Sequence, residues 1–246
     1  STYGARNHKN EAESRDELAS AIKYSYERGE KVIIPAFAVE RTQELLYSFY
    51  LLHKDGRLPA DMPVFVDSPL AIKATEIFRR NWDYYDQQTK ELIKKGENPL
   101  ELPNLRYTLT AEESRSINVS QGPAIVIAGS GMANAGRIKH HIRHNIWKPG
   151  ASIVFVGFQA EGTPGRRIVD GAQTVRILGE ELSIKAKVFT IGGFSAHAGQ
   201  QQILDWLSHF RSPGMSVYLV HGEHTGQKVL ADLIRDKFNL TVHIPD

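Results

Sequence analysis

The chain has 246 residues, of which 41% are hydrophobic and 24% charged, and its formal net charge is +2. That composition is globular, allows one large domain or two modest ones, and excludes a mostly disordered chain. There are no cysteines, so disulfides, thiolate zinc sites and cysteine nucleophiles are excluded, and a metal site must use His, Asp or Glu. The absence fits a cytoplasmic protein. No apolar run approaches the ~18 residues a membrane helix needs, so no membrane partner is expected. The polar start STYGARNHKN does not read as a signal peptide. It lacks an initiator Met, and the chain is expected to be processed or cut from something longer. Residues 121–246 hold 13 Lys/Arg against 9 Asp/Glu, a basic half that suits an anionic ligand.

Apolar strands alternate with amphipathic helices, the pattern of an α/β protein with a largely parallel sheet. A first helix is predicted over Arg15–Arg28, capped by Ser14 and stopped at Gly29. Val32–Val39 reads as a buried strand and is followed by a helix through Leu45, Phe49 and Leu52. Val64–Val66 is the next strand, with Ser68 as N-cap and Pro69 at the first helical position. Residues 79–104 read as a helix and a surface loop. Ala124–Ala128 is a strand ending in Gly129-Ser130-Gly131, before a helix carrying Arg137, Lys139, His140, His141, Arg143 and His144. Ser152–Val156 is a strand. Residues 166–187 read as short strands and turns. Val188–Ile191 leads into Ser195-Ala196-His197 and a helix through Ile203 and Leu207. Val217–Val220 ends at His221-Gly222-Glu223-His224, before a helix with Leu230 and Ile234.

In α/β sheets, ligands bind beyond the carboxyl ends of the strands. Asp67/Ser68, Gly129–Gly131, Ser195/His197 and His221/Glu223 all fall at such ends. The Gly-x-Gly turn lets backbone amides approach an anion. It is not a dinucleotide fingerprint, because Asn134 stands where the third glycine should be. The HHxxH trio has no acidic residue in its segment and reads as a basic helix face, buried on one side by Ile138 and Ile142. His197 and His221, each following a strand, read either as hydrogen-bonded loop histidines or as imidazoles for metal ligation or proton transfer.

Seven stretches then converge on one family: STYG at 1–4, PAFAVERTQELL at 35–46, VDSPLA at 66–71, AGSGMANAGRIKHHI at 128–142, VGFQAEGTPGRRI at 156–168, FSAHAGQQQIL at 194–204 and LVHGE at 219–223. In this order they resemble the β-CASP branch of the metallo-β-lactamase superfamily, RNA-cleaving nucleases of RNA processing and decay. The prokaryotic-type members look closest.

The resemblance implies an α/β fold. Residues 9–187 would be a β-CASP domain with a parallel-type sheet and flanking helices. Residues 1–8 and 188–246 would be the C-terminal part of a metallo-β-lactamase αββα domain. It implies RNA as partner, bound with the metals in a cleft between the domains, and two zinc ions in the intact parent. By the same resemblance, His197 contacts the scissile phosphate and is a candidate proton donor to the leaving oxygen. His221 is a zinc ligand. Ser195, Ser130, Gly131, Arg137 and Lys139 lie on the RNA side. The family's HxHxDH metal motif is absent from this sequence. The chain alone is therefore expected to hold no zinc stably and to be inactive as a hydrolase. A non-catalytic β-CASP scaffold or RNA-binding subunit is the alternative. Residues 188–246 are expected to expose an edge or apolar face that favours self-association, so a homodimer is a candidate assembly.

Overall fold

Strands buried on both faces read as continuous apolar runs, and helices must then cover both faces of their sheet. The computed structural model, described for residues 1–210, 212 and 214–245, shows this arrangement in the larger of two compact units, Glu11–Phe194. Its first half comprises α1 (Glu11–Tyr26), β1 (Val32–Pro35), α2 (Arg41–Lys54), β2 (Val64–Val66), α3 (Pro69–Arg80) and α4 (Gln87–Lys94). Then come β3 (Leu105–Tyr107), α5 (Ala111–Val119), β4 (Ile125–Ala128), α6 (Ile138–Asn145), β5 (Ser152–Phe155) and α7 (Pro164–Val169). The unit closes with β6 (Thr174–Ile177), β7 (Glu180–Ser183) and β8 (Lys187–Thr190).

Six strands form one sheet in the order β3-β2-β4-β1-β5-β8, and every neighbouring pair is parallel. Strand residues alternate between two cores. Val32, Ile34, Val64, Ile125, Ile127 and Val154 pack with Leu18 and Ile22 of α1, Leu45 and Phe49 of α2 and Ile72 of α3. Ile33, Val126, Ile153 and Phe155 pack with Ile117 of α5, Ile138 and Ile142 of α6 and Ile168 of α7. The helix after β1 thus covers one face and the helix after β4 covers the other. Since β1 and β4 are neighbours, a crevice opens between their carboxyl ends, at a topological switch point.

The smaller unit joins residues 1–10 to 195–246. It holds α8 (Gln200–Leu207), β9 (Ser216–Tyr218), α9 (His224–Phe238) and β10 (Thr241–His243), with β9 and β10 paired in parallel. Leu204, Leu207, Leu219, Leu230, Ile234 and Val242 form its core. The first residues are tied to it. Gln200 N donates to Arg6 O at 2.9 Å and Gln200 Nε2 to Gly4 O at 2.8 Å. Trp206, Phe210, Tyr218, Val220 and Val229 are exposed on this unit.

Some boundaries differ from the sequence reading. Helix α1 begins at Glu11, and Ser14 is buried inside its first turn instead of capping it. Glu11 and Glu13 suit that turn because they complement the helix dipole. Strand β8 begins at Lys187 and ends at Thr190, one residue earlier than the sequence reading placed it, and pairs with β5. Strand β1 stops at Pro35, well before Val39, because the chain turns to start α2. Thr42 N and Oγ1 both donate to Phe37 O, at 3.2 and 2.8 Å. Arg41 N donates to Val39 O at 2.8 Å across Glu40, whose φ is 65° and ψ −62°. This is a γ-turn of the strained hand, rarely adopted by a residue with a Cβ. Glu40→Gly should therefore raise stability by about 1 kcal/mol. The urea midpoint of the purified chain reads this directly, and an unchanged or lower midpoint would show that the turn is not strained.

Candidate functional site

The crevice is walled by the ends of β1, β2 and β4. It has a volume of about 530 Å³ and is lined by Ala36, Phe37, Ala38, Asp67, Ser68, Pro69, Leu70, Gly129, Ser130, Ala135, Gly136 and Arg137. Asp67 lies at its base, fully buried. Four side chains donate to its carboxylate, two to each oxygen. Thr108 Oγ1 and Arg137 Nη1 lie 2.6 and 2.7 Å from Oδ1. Ser114 Oγ and His141 Nε2 lie 2.6 and 2.7 Å from Oδ2. His141 is also fully buried, and its Nδ1 is 2.9 Å from Asn118 Oδ1. Burial alone would raise the Asp67 pKa. The hydrogen bonds from His141, Ser114, Thr108 and Arg137 outweigh it and hold the carboxyl well below the ordinary carboxylate range.

This corrects the reading of the histidine trio. His140 and His144 are exposed, but His141 is turned inward. Its acidic partner comes from β2's end, outside the helical segment. Arg137 has a structural engagement that spacing did not reveal. Besides Asp67, its guanidinium donates to Thr108 O at 3.1 Å and Leu109 O at 2.7 Å. Lys139 is half-buried and makes no side-chain hydrogen bond or ion pair among the described residues.

Residues 129–136 form a loop closed on itself. Ser130 N donates to Ala135 O at 3.0 Å, Ala133 N to Ser130 O at 3.2 Å, and Ser130 Oγ to Asn134 Oδ1 at 2.6 Å. Gly136 has φ 74° and packs directly on Gly129 O, so neither a Cβ nor its conformation would be tolerated there. Neighbouring elements buttress the loop. Gln159 Nε2 donates to Gly131 O at 3.0 Å, and Gly165 N to Met132 O at 3.2 Å. The Phe37 ring lies so close to Gly131 that a Cβ there would sit 2.9 Å from it. The amides of Gly131, Met132 and Asn134 donate to no acceptor among the described residues. A rigid loop with unspent amides can receive an anion without reorganising.

In the smaller unit, Ser195 Oγ lies 3.3 Å from His197 Nδ1. The ring of His8 sits 2.5 Å through Nε2 from His197 O, and Tyr3 packs edge-on to His8 at 4.6 Å between centroids. His197 is exposed at this knot. Sequence reasoning missed both: Tyr3 stands in the STYG motif, and His8 lies four residues beyond it with no signal of its own. His221 is exposed at the end of β9, with φ 60°. Among the described residues, no three His, Cys, Asp or Glu side chains are grouped to hold a metal ion. His221 supplies one imidazole, whereas a catalytic zinc takes about three protein ligands. The donors of this chain do not by themselves fit zinc.

Residues 42–168 match the Beta-Casp domain family, and residues 181–245 match the family described as "Zn-dependent metallo-hydrolase RNA specificity domain". The chain belongs to the Beta-Casp family. It is 41% identical over 230 residues to a ribonuclease of Thermus thermophilus, covering 94% of this chain and 51% of that protein. It is 34% identical over 257 residues to the transcription termination factor FttA of Pyrococcus abyssi and 32% over 256 residues to that of Thermococcus kodakarensis, covering 100% of this chain and 39% of each. The chain thus spans about half of the length of the first of these relatives and less of the others. No helix among the described residues is long and apolar enough to cross a membrane.

Two outcomes are expected of this Beta-Casp chain. Asp67→Asn should cost on the order of 3–5 kcal/mol near neutral pH, because it leaves buried donors with an amide in place of a carboxylate. A depressed carboxyl contributes stability above its unfolded pKa of about 3.9 and loses it as pH falls through the lower folded value. The wild-type acid limb should therefore lie below pH ~4 and flatten in Asp67→Asn. Denaturation at several pH values reads both. At Gly165, a Cβ would collide with Gln159 Oε1 and come 2.9 Å from Met132 O. Gly165→Ala should destabilise by about 1–3 kcal/mol, and unchanged stability would show that the buttress is soft.

Proposed function

We propose that the chain is part of a metal-dependent ribonuclease that hydrolyses RNA phosphodiester bonds. In this reading residues 9–187 are its β-CASP domain, and residues 1–8 and 188–246 belong to its metallo-β-lactamase domain. The observation that carries it is the preorganised 129–136 loop at the switch point of the sheet, in a chain akin to a ribonuclease over nearly its whole length. Metallo-hydrolase and RNA-specificity wording attaches to its second family match, and termination factors among its relatives also act in RNA metabolism.

Each candidate residue has a distinct task in this reading. The loop receives a backbone phosphate beside Ser130 and Gly131. Lys139 adds neutralising charge, and Arg137 shapes the floor while held by Asp67. In the smaller unit, His197 and Ser195 contact the scissile phosphate, and His197 hands a proton to the leaving oxygen. The neighbouring His8 holds the His197 backbone, which fixes where that ring starts. His221 is one ligand of a two-zinc site whose other donors lie outside this chain.

The test uses the longer protein alongside the 246-residue chain. RNA cleavage by the longer protein should be abolished by chelation and restored by zinc. His197→Ala should lower its turnover by roughly 10²–10⁴-fold. The shorter chain should bind RNA and leave it intact, and Lys139→Ala should flatten its log K against log salt slope by about 0.7–0.9. Chelator-resistant cleavage, wild-type turnover in His197→Ala, or cleavage by the shorter chain alone would each contradict the reading.

A further inference from the structure

Helices α5 and α6 cover the same face of the sheet, and Ile117, Ile138 and Ile142 join one core beneath them. Above that core their facing sides do not close. The positions turned toward each other are Arg115 and Asn118 on α5, Arg137 at the start of α6, and His140 and His144 along it. Apolar side chains there would let the two helices meet in close contact. These residues instead leave a groove of about 380 Å³. His140 and His144 stand one turn apart on one helical face. Among the described residues neither makes a side-chain hydrogen bond or an ion pair, and no carboxylate lines the groove.

The nearby carboxylates are committed elsewhere. Asp67 is filled by its four donors. Glu113 accepts from the amides of Leu109 and Thr110 at 2.7 and 2.9 Å. Glu180 takes two bonds from Arg143, at 2.8 and 2.5 Å. Glu112 meets Arg115 at 3.3 Å, but their side chains are 79% and 75% exposed, so water screens the pair and leaves it weak. Partial desolvation, and then Arg143, His141, His140 and Lys148, hold the His144 imidazole below its ordinary pKa. Cationic groups thus face one another across a groove that holds no counter-ion of its own. An anion answers that arrangement. Asn118 adds a neutral donor, because its Oδ1 faces His141 Nδ1 at 2.9 Å while its Nδ2 donates to no acceptor among the described residues.

We propose that the groove between α5 and α6 binds a phosphate of the RNA backbone, and that this site tightens as His140 and His144 take up protons. It rests on the RNA reading above for the source of the phosphate. The groove and the crevice adjoin at Arg137, which lines both, so one strand can place phosphates in each. Arg115 supplies charge at every pH, because a guanidinium does not deprotonate in proteins. The imidazoles supply it only when protonated, below their ordinary pKa of about 6.5. A phosphate favours the charged imidazoles, so its arrival raises their pKa and draws protons from solvent.

The experiment measures binding of a radiolabelled RNA of mixed sequence to the 246-residue chain at fixed ionic strength. Affinity should be roughly 10-fold tighter at pH ~5.5 than at pH ~7.5, the gain from one imidazole whose pKa the phosphate raises by about one unit. The slope of log K against log salt should be steeper at the lower pH by about 0.7 or more. The double variant His140→Gln/His144→Gln should remove both changes, and Arg115→Gln should weaken binding at either pH. These side chains are exposed, so the variants should keep the wild-type urea midpoint. RNA should shift the ring-proton resonances of His140 and His144, and inorganic phosphate alone should shift the same resonances. An affinity independent of pH, or an acid gain kept in the folded double variant, would overturn the site and leave the RNA reading standing. Shifts with phosphate that RNA does not reproduce would overturn RNA as the occupant. Failure of the wild-type chain to bind any RNA at low salt and either pH would instead sink the RNA reading itself.

Discussion

A single carboxylate organises the working end of the larger unit. Asp67 is buried with all its acceptor capacity filled by Thr108, Ser114, Arg137 and His141. An ionised carboxylate in such a place is tolerable only because every lone pair is met. Its partners come from the end of β3, from α5 and from both turns at the start of α6. One group therefore locks two strands and two helices at the mouth of the crevice. The loop between β4 and α6 has little freedom left, because the helix that ends it is anchored from below.

Rigidity has a chemical use here. Donors already aimed need no reorganisation when an anion arrives. The 129–136 loop is fixed by its own hydrogen bonds, by Gln159 and Gly165 on one side, and by Phe37 on the other. The smaller unit shows the same economy on a smaller scale, where His8 and Tyr3 hold the backbone around His197. In both units buried or half-buried groups hold the site, Asp67 and His141 in the larger unit and Tyr3 and His8 in the smaller.

Much of this was legible along the chain. Ile125–Ala128 and Ser152–Phe155 are unbroken apolar runs because helices cover both faces of their sheet, and that pattern needs no partner to be read. Ser68 caps α3 as its position before Pro69 implies, accepting from Ala71 N at 3.3 Å. Strands β3 and β10 and helix α5 were not read, being short or weakly apolar. The Asp67 network was invisible for a different reason. Its four donors lie 41 to 74 residues away in sequence, and no local period connects them. His141 looked like its neighbours His140 and His144 because a helical face carries no mark of which strand end will approach it. Phe37 was hidden inside a run that read as strand, and only the turn at Glu40 shows that the sheet had already ended.

The interleaving of the two units has a consequence for how the chain acquires its structure. Residues 1–10 pack with a segment that begins at 195, so the smaller unit cannot be completed until everything between has been made. During synthesis the larger unit can finish while the first ten residues still lack their partners. Its collapse then shortens the effective tether between Asn10 and Ser195 from a long flexible loop to the span of a folded body. The entropy of closing that loop is thus charged mainly to the larger unit's own folding. The smaller unit behaves as a late, dependent step, and damage to the six-stranded sheet would be felt at His197 through the connectivity of the chain.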